Sequence, residues 1–289
     1  MKVCQFIIEK SPDKNKLFKF PNVPLHRAAR NNQLEIYREL MMNVEDKNPR
    51  AYFSSCYITP LHLAAYFGHY DVCKLITDNI IEKNVKMETR DKEEPYIKLG
   101  PVLGSVEPLH FAAQEGHLDI FLLLAKYATD KNPSATRHNY WRVTPLHCAA
   151  AFGHFEICKF LIETIKDKNP RIASDGHTPL HFAARNGHVK ICKIFIENIS
   201  EKNPKGEEGL TPLHLAARNG HAQVCKIFIQ NITEFNPKAA NGSTPLHEAA
   251  RNGHFEVCKL IGATIANKNP QDDDGNTPKD LLFDFVMFS

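Results

Sequence analysis

A chain of 289 residues that is 43% hydrophobic and 24% charged has the make-up of an ordinary globular protein. Its formal net charge is only +3, and the basic and acidic residues are interspersed without a dense Lys/Arg cluster, which speaks against nucleic acid or an anionic membrane as the main partner. No apolar run reaches the roughly 18–20 residues of a membrane span, and the start, MKVCQFIIEK, has too short an apolar stretch for a secretion signal, with Glu9 and Lys10 closing it.

Length alone suggests about two domains, but repetition overrides that expectation. In chain order the phrases are VPLHRAA at 23–29, TPLHLAA at 59–65, EPLHFAA at 107–113, TPLHCAA at 144–150, TPLHFAA at 178–184, TPLHLAA at 211–217 and TPLHEAA at 244–250. A worn copy, TPKDLLF, opens the last stretch at 277–283. Their prolines, from Pro24 to Pro278, are spaced 36, 48, 37, 34, 33, 33 and 33 apart. The late repeats are regular and the early ones carry insertions. The largest, residues 87–106, is charged at first and then apolar with Pro and Gly. It is either a tolerated insertion or a partner-specific loop.

One unit shows the local physics. Thr178 is a good N-cap, and Pro179 follows at the first helical position, where its missing N–H is harmless. Ala183 and Ala184 let a neighbouring helix come close, and Gly187 adopts positive φ to end a short helix. A second helix is expected over roughly 188–199, with Ile191, Cys192, Phe195, Ile196 and Ile199 at helical spacing. Asn203 then precedes Pro204 and is pushed to an extended form before the turn at 207–210. The unit is helix, turn, helix, extended finger.

The phrase Thr-Pro-Leu-His-x-Ala-Ala followed by Gly-His closely resembles the hallmark of the ankyrin repeat, and the resemblance covers nearly the whole chain. It implies an all-α repeat solenoid of stacked helix-turn-helix units with projecting β-hairpin fingers, curved so that a concave face binds partners. The expected organisation is one domain over 1–289: a half repeat at 1–20, repeats starting near 23, 59, 107, 144, 178, 211 and 244, and a half repeat at 277–289. Because the chain opens and closes in mid-repeat, and its end LLFDFVMFS is apolar, a fragment of a longer protein or a truncated gene product is expected; natural half-unit caps are the alternative. One departure stands out. The glycine that ends the second helix in the family is replaced by Val44, Ile165, Ile199, Ile232 and Ile265, whereas the family's asparagine is kept as Asn48, Asn169, Asn203, Asn236 and Asn269.

Six of eight cysteines share one slot, namely Cys4, Cys73, Cys158, Cys192, Cys225 and Cys258; Tyr37 and Phe121 fill it in the other repeats. A slot that accepts aromatics wants buried bulk, and packed helices about 8–10 Å apart do not bridge equivalent cysteines. Thirteen of fifteen histidines fall in two slots, after Pro-Leu and after Gly. The resemblance implies that these imidazoles hydrogen-bond backbone between adjacent turns. No catalytic residues, metal ligands or cofactor are expected. A thiol hydrolase built on Cys148 or Cys56, the two cysteines outside the slot, has no convincing partner residue.

Positions that vary between repeats are the candidates for contact. The pair after Ala-Ala reads Arg30–Asn31, Tyr66–Phe67, Gln114–Glu115, Ala151–Phe152, Arg185–Asn186, Arg218–Asn219 and Arg251–Asn252. The early-middle part is aromatic, and the late part is a ladder of Arg185, Arg218 and Arg251. Those arginines either pair with acidic side chains of an extended partner or are solvated repeats of a default wording. The finger at 136–145 carries Tyr140, Trp141 and Arg142, residue types enriched in binding hot spots, and Tyr57 ends a similar finger; local ring packing is the alternative. Partner-binding candidates are thus Tyr57, Tyr66, Phe67, Tyr140, Trp141, Arg142, Phe152, Arg185, Arg218 and Arg251. The resemblance also makes Asn169, Asn203, Asn236 and Asn269 candidates for asparagine hydroxylation. The expected function is a noncatalytic scaffold or adaptor in the cytoplasm, with the nucleus as the alternative. It is expected to be monomeric, to bind another protein through an acidic or extended segment, and to bind neither nucleic acid nor membrane. The alternative is the recognition part of a larger effector such as an ion channel, ubiquitin-ligase adaptor or kinase.

Overall fold

The computed structural model describes residues 23–53, 56–80, 106–135 and 143–282, with the backbone alone at 23, 52, 53, 56 and 57. The expected half repeat at 1–20, the insertion except Val106, and the tail 283–289 lie outside the described residues. The chain divides into two compact units, Met1–Cys148 and Ala149–Ser289.

Unit 1 runs α1 (Val23–Arg30), α2 (Leu34–Met42), β1 (Ala51–Phe53), β2 (Cys56–Ile58), α3 (Pro60–Phe67), α4 (Tyr70–Asn79), α5 (Pro108–Glu115) and α6 (Leu118–Tyr127). Helix α7 (Pro145–Phe152) contains the division between the units. Unit 2 continues with α8 (Phe155–Thr164), α9 (Pro179–Arg185), α10 (Val189–Asn198), a 3₁₀ turn (Glu207–Gly209), α11 (Pro212–Arg218), α12 (Ala222–Asn231), α13 (Pro245–Arg251) and α14 (Phe255–Gly262). Within unit 1, α1 packs on α3 and α3 on α5, while α2, α4 and α6 form the second row. Within unit 2 the rows are α9–α11–α13 and α8–α10–α12–α14. This is the helix-turn-helix stack that the repeated phrase predicts.

Three recurring side-chain ties explain the stack. The first begins at the N-cap. Thr59 N–H donates to His62 Nδ1 at 3.2 Å, and the Thr59 hydroxyl meets the same nitrogen at 2.8 Å. Since Nδ1 accepts, the proton sits on Nε2, which donates to the Val106 carbonyl at 3.1 Å. His26, His110, His181, His214 and His247 likewise reach Ile58, Val143, Leu210, Ser243 and Asn276. One imidazole therefore caps its own helix and holds the next finger.

The second tie runs the other way. His221 Nε2 donates to the Arg185 carbonyl at 2.9 Å, and its ring lies against Gly187, where an added Cβ would meet it at 2.7 Å. Gly187 also has φ +75, so two requirements exclude a side chain there. In the first repeat Asn32 takes the left-handed position instead, at φ 55, which asparagine tolerates.

The third tie is the finger asparagine. Asn203 Oδ1 accepts the Leu213 N–H at 3.2 Å, satisfying an orphan donor in the first turn of α11. Asn48, Asn169, Asn236 and Asn269 do the same for Leu61, Leu180, Leu246 and Lys279. Asn132, in ATDKNP at 128–133, makes an identical bond to Leu146 N–H at 2.9 Å. The sequence reading overlooked that copy because no Ile or Val leads it.

Between the rows, the paired alanines are buried to 0–1%, which lets first helices approach closely. In the second row Cys73, Cys158, Cys192 and Cys225 are fully buried beside Tyr37 and Phe121 in the same slot. Tyr37 keeps its hydroxyl satisfied by donating to the Lys47 carbonyl at 2.7 Å. The isoleucines that replace the family's glycine end their helices in extended backbone: Ile165, Ile199 and Ile232 have φ between −100 and −121. The fingers are more modest than a full set of hairpins. A three-residue ladder forms only at β1–β2, and a single bridge joins Ala135 to Val143 among the described residues. Fingers of unit 2 are each closed by one bond across the arms and one within the turn, such as Ala239 N–H to Ser243 O at 2.8 Å and Gly242 N–H to Ala239 O at 3.1 Å, because their arms are too short to ladder.

Candidate partner-binding faces

The repeated cysteines and histidines belong to the scaffold. Burial pushes the thiols of Cys192 and Cys225 up to about 12 and that of Cys258 to about 11, so thiolate is scarce at neutral pH. Cys148, one of the two cysteines outside the slot, is 5% exposed and pushed up to about 12 by burial, which disfavours it as a nucleophile. Burial also holds His62 and His181 at about 3 and His110 and His214 at about 4, against an ordinary 6.5. These rings are neutral, with both nitrogens engaged. Among the described residues no three His, Cys, Asp or Glu side chains group to hold a metal ion.

In unit 1 the variable positions form an aromatic cluster. Tyr66 is only 7% exposed and packs edge-on to Phe67 and Phe111, with centroids 4.9 and 5.9 Å apart. Ile58, Leu63, Val106 and Ala135 complete the cluster. Phe67 remains half-buried at its margin, with the Arg30 guanidinium 5.8 Å over its ring and the His69 ring stacked against it. Tyr57 is placed by backbone, opposite Tyr52 in the hairpin; Tyr140, Trp141 and Arg142 lie outside the described residues.

In unit 2 Phe152 is 46% exposed, and the three arginines stand at equivalent helix ends. They are not equivalent in surroundings. Glu248, its side chain only 3% exposed, accepts from Arg218 Nε at 2.7 Å and lies 3.4 Å from Arg251. The Ser243 hydroxyl donates to its other oxygen at 3.0 Å. Burial alone would raise this carboxyl, but the bonds from Arg218 and Ser243 and the charge of Arg251 hold it below its ordinary 4.5. Asp272 adds a second carboxylate, 3.5 Å from Arg251. The sequence reading missed this network. Its signal is the residue after Pro-Leu-His, which runs Arg27, Leu63, Phe111, Cys148, Phe182, Leu215 and Glu248: a single acid, one turn before Arg251.

The hydroxylation candidates Asn169, Asn203 and Asn236 are half-buried and Asn269 is exposed. Each has its Oδ1 occupied by the helix that follows. Pro-rich fingers, paired antiparallel helices and the Thr–His–finger tie together define a repeat scaffold, and comparison with known families agrees. Ankyrin repeats match in three copies, over residues 1–87, 109–206 and 198–272. The chain belongs to the ankyrin-repeat family. Ankyrin repeats generally mediate protein–protein interaction, and the family is generally noncatalytic. No curated protein matches the chain. Among the described residues no helix is long and apolar enough to cross a membrane.

Proposed function

We propose that this protein is a noncatalytic scaffold or adaptor that binds a protein partner through the residues after Ala-Ala and through the fingers. One observation carries the reading: side chains repeated in every unit are turned inward and used in scaffold bonds, while the positions that differ between units include the exposed Phe152 and Arg185. Unit 2 is the favoured contact region, because the variable aromatics of unit 1 are largely spent on one another. Trp141, Tyr140 and Arg142 are retained as finger contacts on the strength of their residue types. Affinity capture followed by mass spectrometry tests the reading. A partner held by the wild type and lost by the double variant F152S/R185E supports it; identical retention by both sinks it.

Six free thiols among the described residues fit a reducing compartment, and we place the protein in the cytoplasm. Fractionation of cells expressing the chain checks that placement. We further propose Asn169, Asn203, Asn236 and Asn269 as hydroxylation substrates. After coexpression with an asparaginyl hydroxylase, the intact mass should rise by whole oxygen atoms, and an unmodified mass would remove the idea.

A further inference from the structure

The three arginines of unit 2 invite treatment as one basic ladder, yet the carboxylates around them are unevenly shared. Arg218 is paired with Glu248, thirty residues ahead, and Arg251 is flanked by Glu248 three behind and Asp272 twenty-one ahead. The same three offsets from Arg185 lead to Leu215, Phe182 and Gly206. None is acidic, and among the described residues Arg185 has no carboxylate within ion-pair distance. It is also exposed. Among the described residues, two of the three positive charges therefore have carboxylate partners and one does not.

The three positions equivalent to those acids are apolar or glycine, and two more apolar features are tied to this helix end. Asn186 Nδ2 and His188 Nε2 both donate to the Ala151 carbonyl, at 2.9 and 3.1 Å, which brings the end of α9 against the end of α7. Phe152, 46% exposed, follows Ala151 directly. Phe182 lies one helical turn before Arg185 and is half-buried, and Leu215 is buried at the offset where Arg218 finds its acid. The fingers of the same unit carry exposed Glu207, Glu208, Asp273 and Asp274. Those charges disfavour a run of acids, whereas a single carboxylate can reach Arg185 bidentately.

Resting on the binding role proposed above, we infer that Arg185 alone reads the charge of the partner, taking one carboxylate of an extended peptide whose adjacent residue is apolar and packs on Phe152. Arg218 and Arg251 hold the scaffold and contribute little to recognition.

A phage-displayed random peptide library, panned against the full chain, provides the test. Peptides selected on the wild type should carry one Asp or Glu next to a Leu or aromatic residue. Selection on R185Q should lose the acid, and selection on R218Q should keep it. Synthetic peptides from the wild-type pool should bind R185Q at least about tenfold more weakly, the value of a lost charge-assisted bond, with R218Q within about threefold of wild type. Matching thermal melts of R185Q and wild type confirm that the variant folds. An acid preference that persists on R185Q, or one that falls equally on R218Q, overturns the assignment. Selected peptides that lack an acid but lose binding on F152S also overturn it while leaving the binding face standing. A library with no enrichment, or with peptides indifferent to both F152S and R185Q, removes the binding face as well.

Discussion

The helix ends of unit 1 and unit 2 occupy the same place in the repeat and meet opposite fates. In unit 1 Tyr66 turns into a cluster with Phe67 and Phe111 and becomes core. In unit 2 Arg218 and Arg251 stay partly solvated but gather around the buried Glu248. The difference is decided one turn earlier, at the residue after Pro-Leu-His. Leu63 and Phe111 offer apolar surface there, and an aromatic neighbour buries itself on it. Glu248 offers charge, and arginines converge on it. Among the described helix-end candidates, Phe67 stays half-buried in unit 1, while Phe152 and Arg185 stay exposed in unit 2.

Acid gives the largest expected effect, and it falls on what the two units share. His62 and His110 in unit 1, and His181 and His214 in unit 2, are held by burial at about 3–4 against an ordinary 6.5. Below pH 6.5 the unfolded chain binds protons that the folded chain refuses. Stability is therefore full above pH 6.5 and falls as pH drops toward about 4, by at most about 1.4 kcal/mol per pH unit for each ring. Urea midpoints between pH 7 and pH 4 should decline steadily, and a flat profile would contradict neutral, doubly bonded imidazoles.

The remaining changes separate the units. Phe111→Ala empties the centre of the aromatic cluster and should lower stability by about 3–5 kcal/mol in urea titration. A loss below about 1 kcal/mol would mean that the unit 1 aromatics are not core. Glu248→Gln keeps the shape but removes the carboxylate of Arg218 and leaves Arg251 with Asp272 alone, at about 1–2 kcal/mol, softened by the partial exposure of both arginines. Arg185→Ala should change stability by less than about 0.5 kcal/mol, because among the described residues its side chain makes no ion pair or hydrogen bond. If Arg185→Ala proved as harmful as Glu248→Gln, the contrast between free and paired arginines would collapse.

The scaffold was legible in the sequence because each structural requirement is written about seven times. The cap, the left-handed glycine and the buried slot could be read from position alone, and Tyr37 and Phe121 exposed the cysteine slot as packing. The candidate face was less legible, since its energetics lie in pairs that cross repeats. Arg218 and Glu248 are 30 residues apart, and Tyr66 and Phe111 are 45 apart. Reading each repeat by itself leaves Tyr66 among the contact candidates and three equal arginines. Only the stacking of neighbouring helices shows which side chains are already taken.

The three ties also make the length of the chain a quantised variable. The histidine ties between late repeats join residues at offsets that recur with the 33-residue spacing of Pro179, Pro212 and Pro245: 29 residues from His181, His214 and His247 to the next finger, and 36 from His221 and His254 back to Arg185 and Arg218. Removing residues 178–210 would set Asn169 before Thr211 with each donor and acceptor again facing its counterpart. Removing one residue fewer would carry a mismatch into that junction. Such a molecule can gain or lose whole repeats far more easily than single residues, so its reach can change in steps while its joints stay the same.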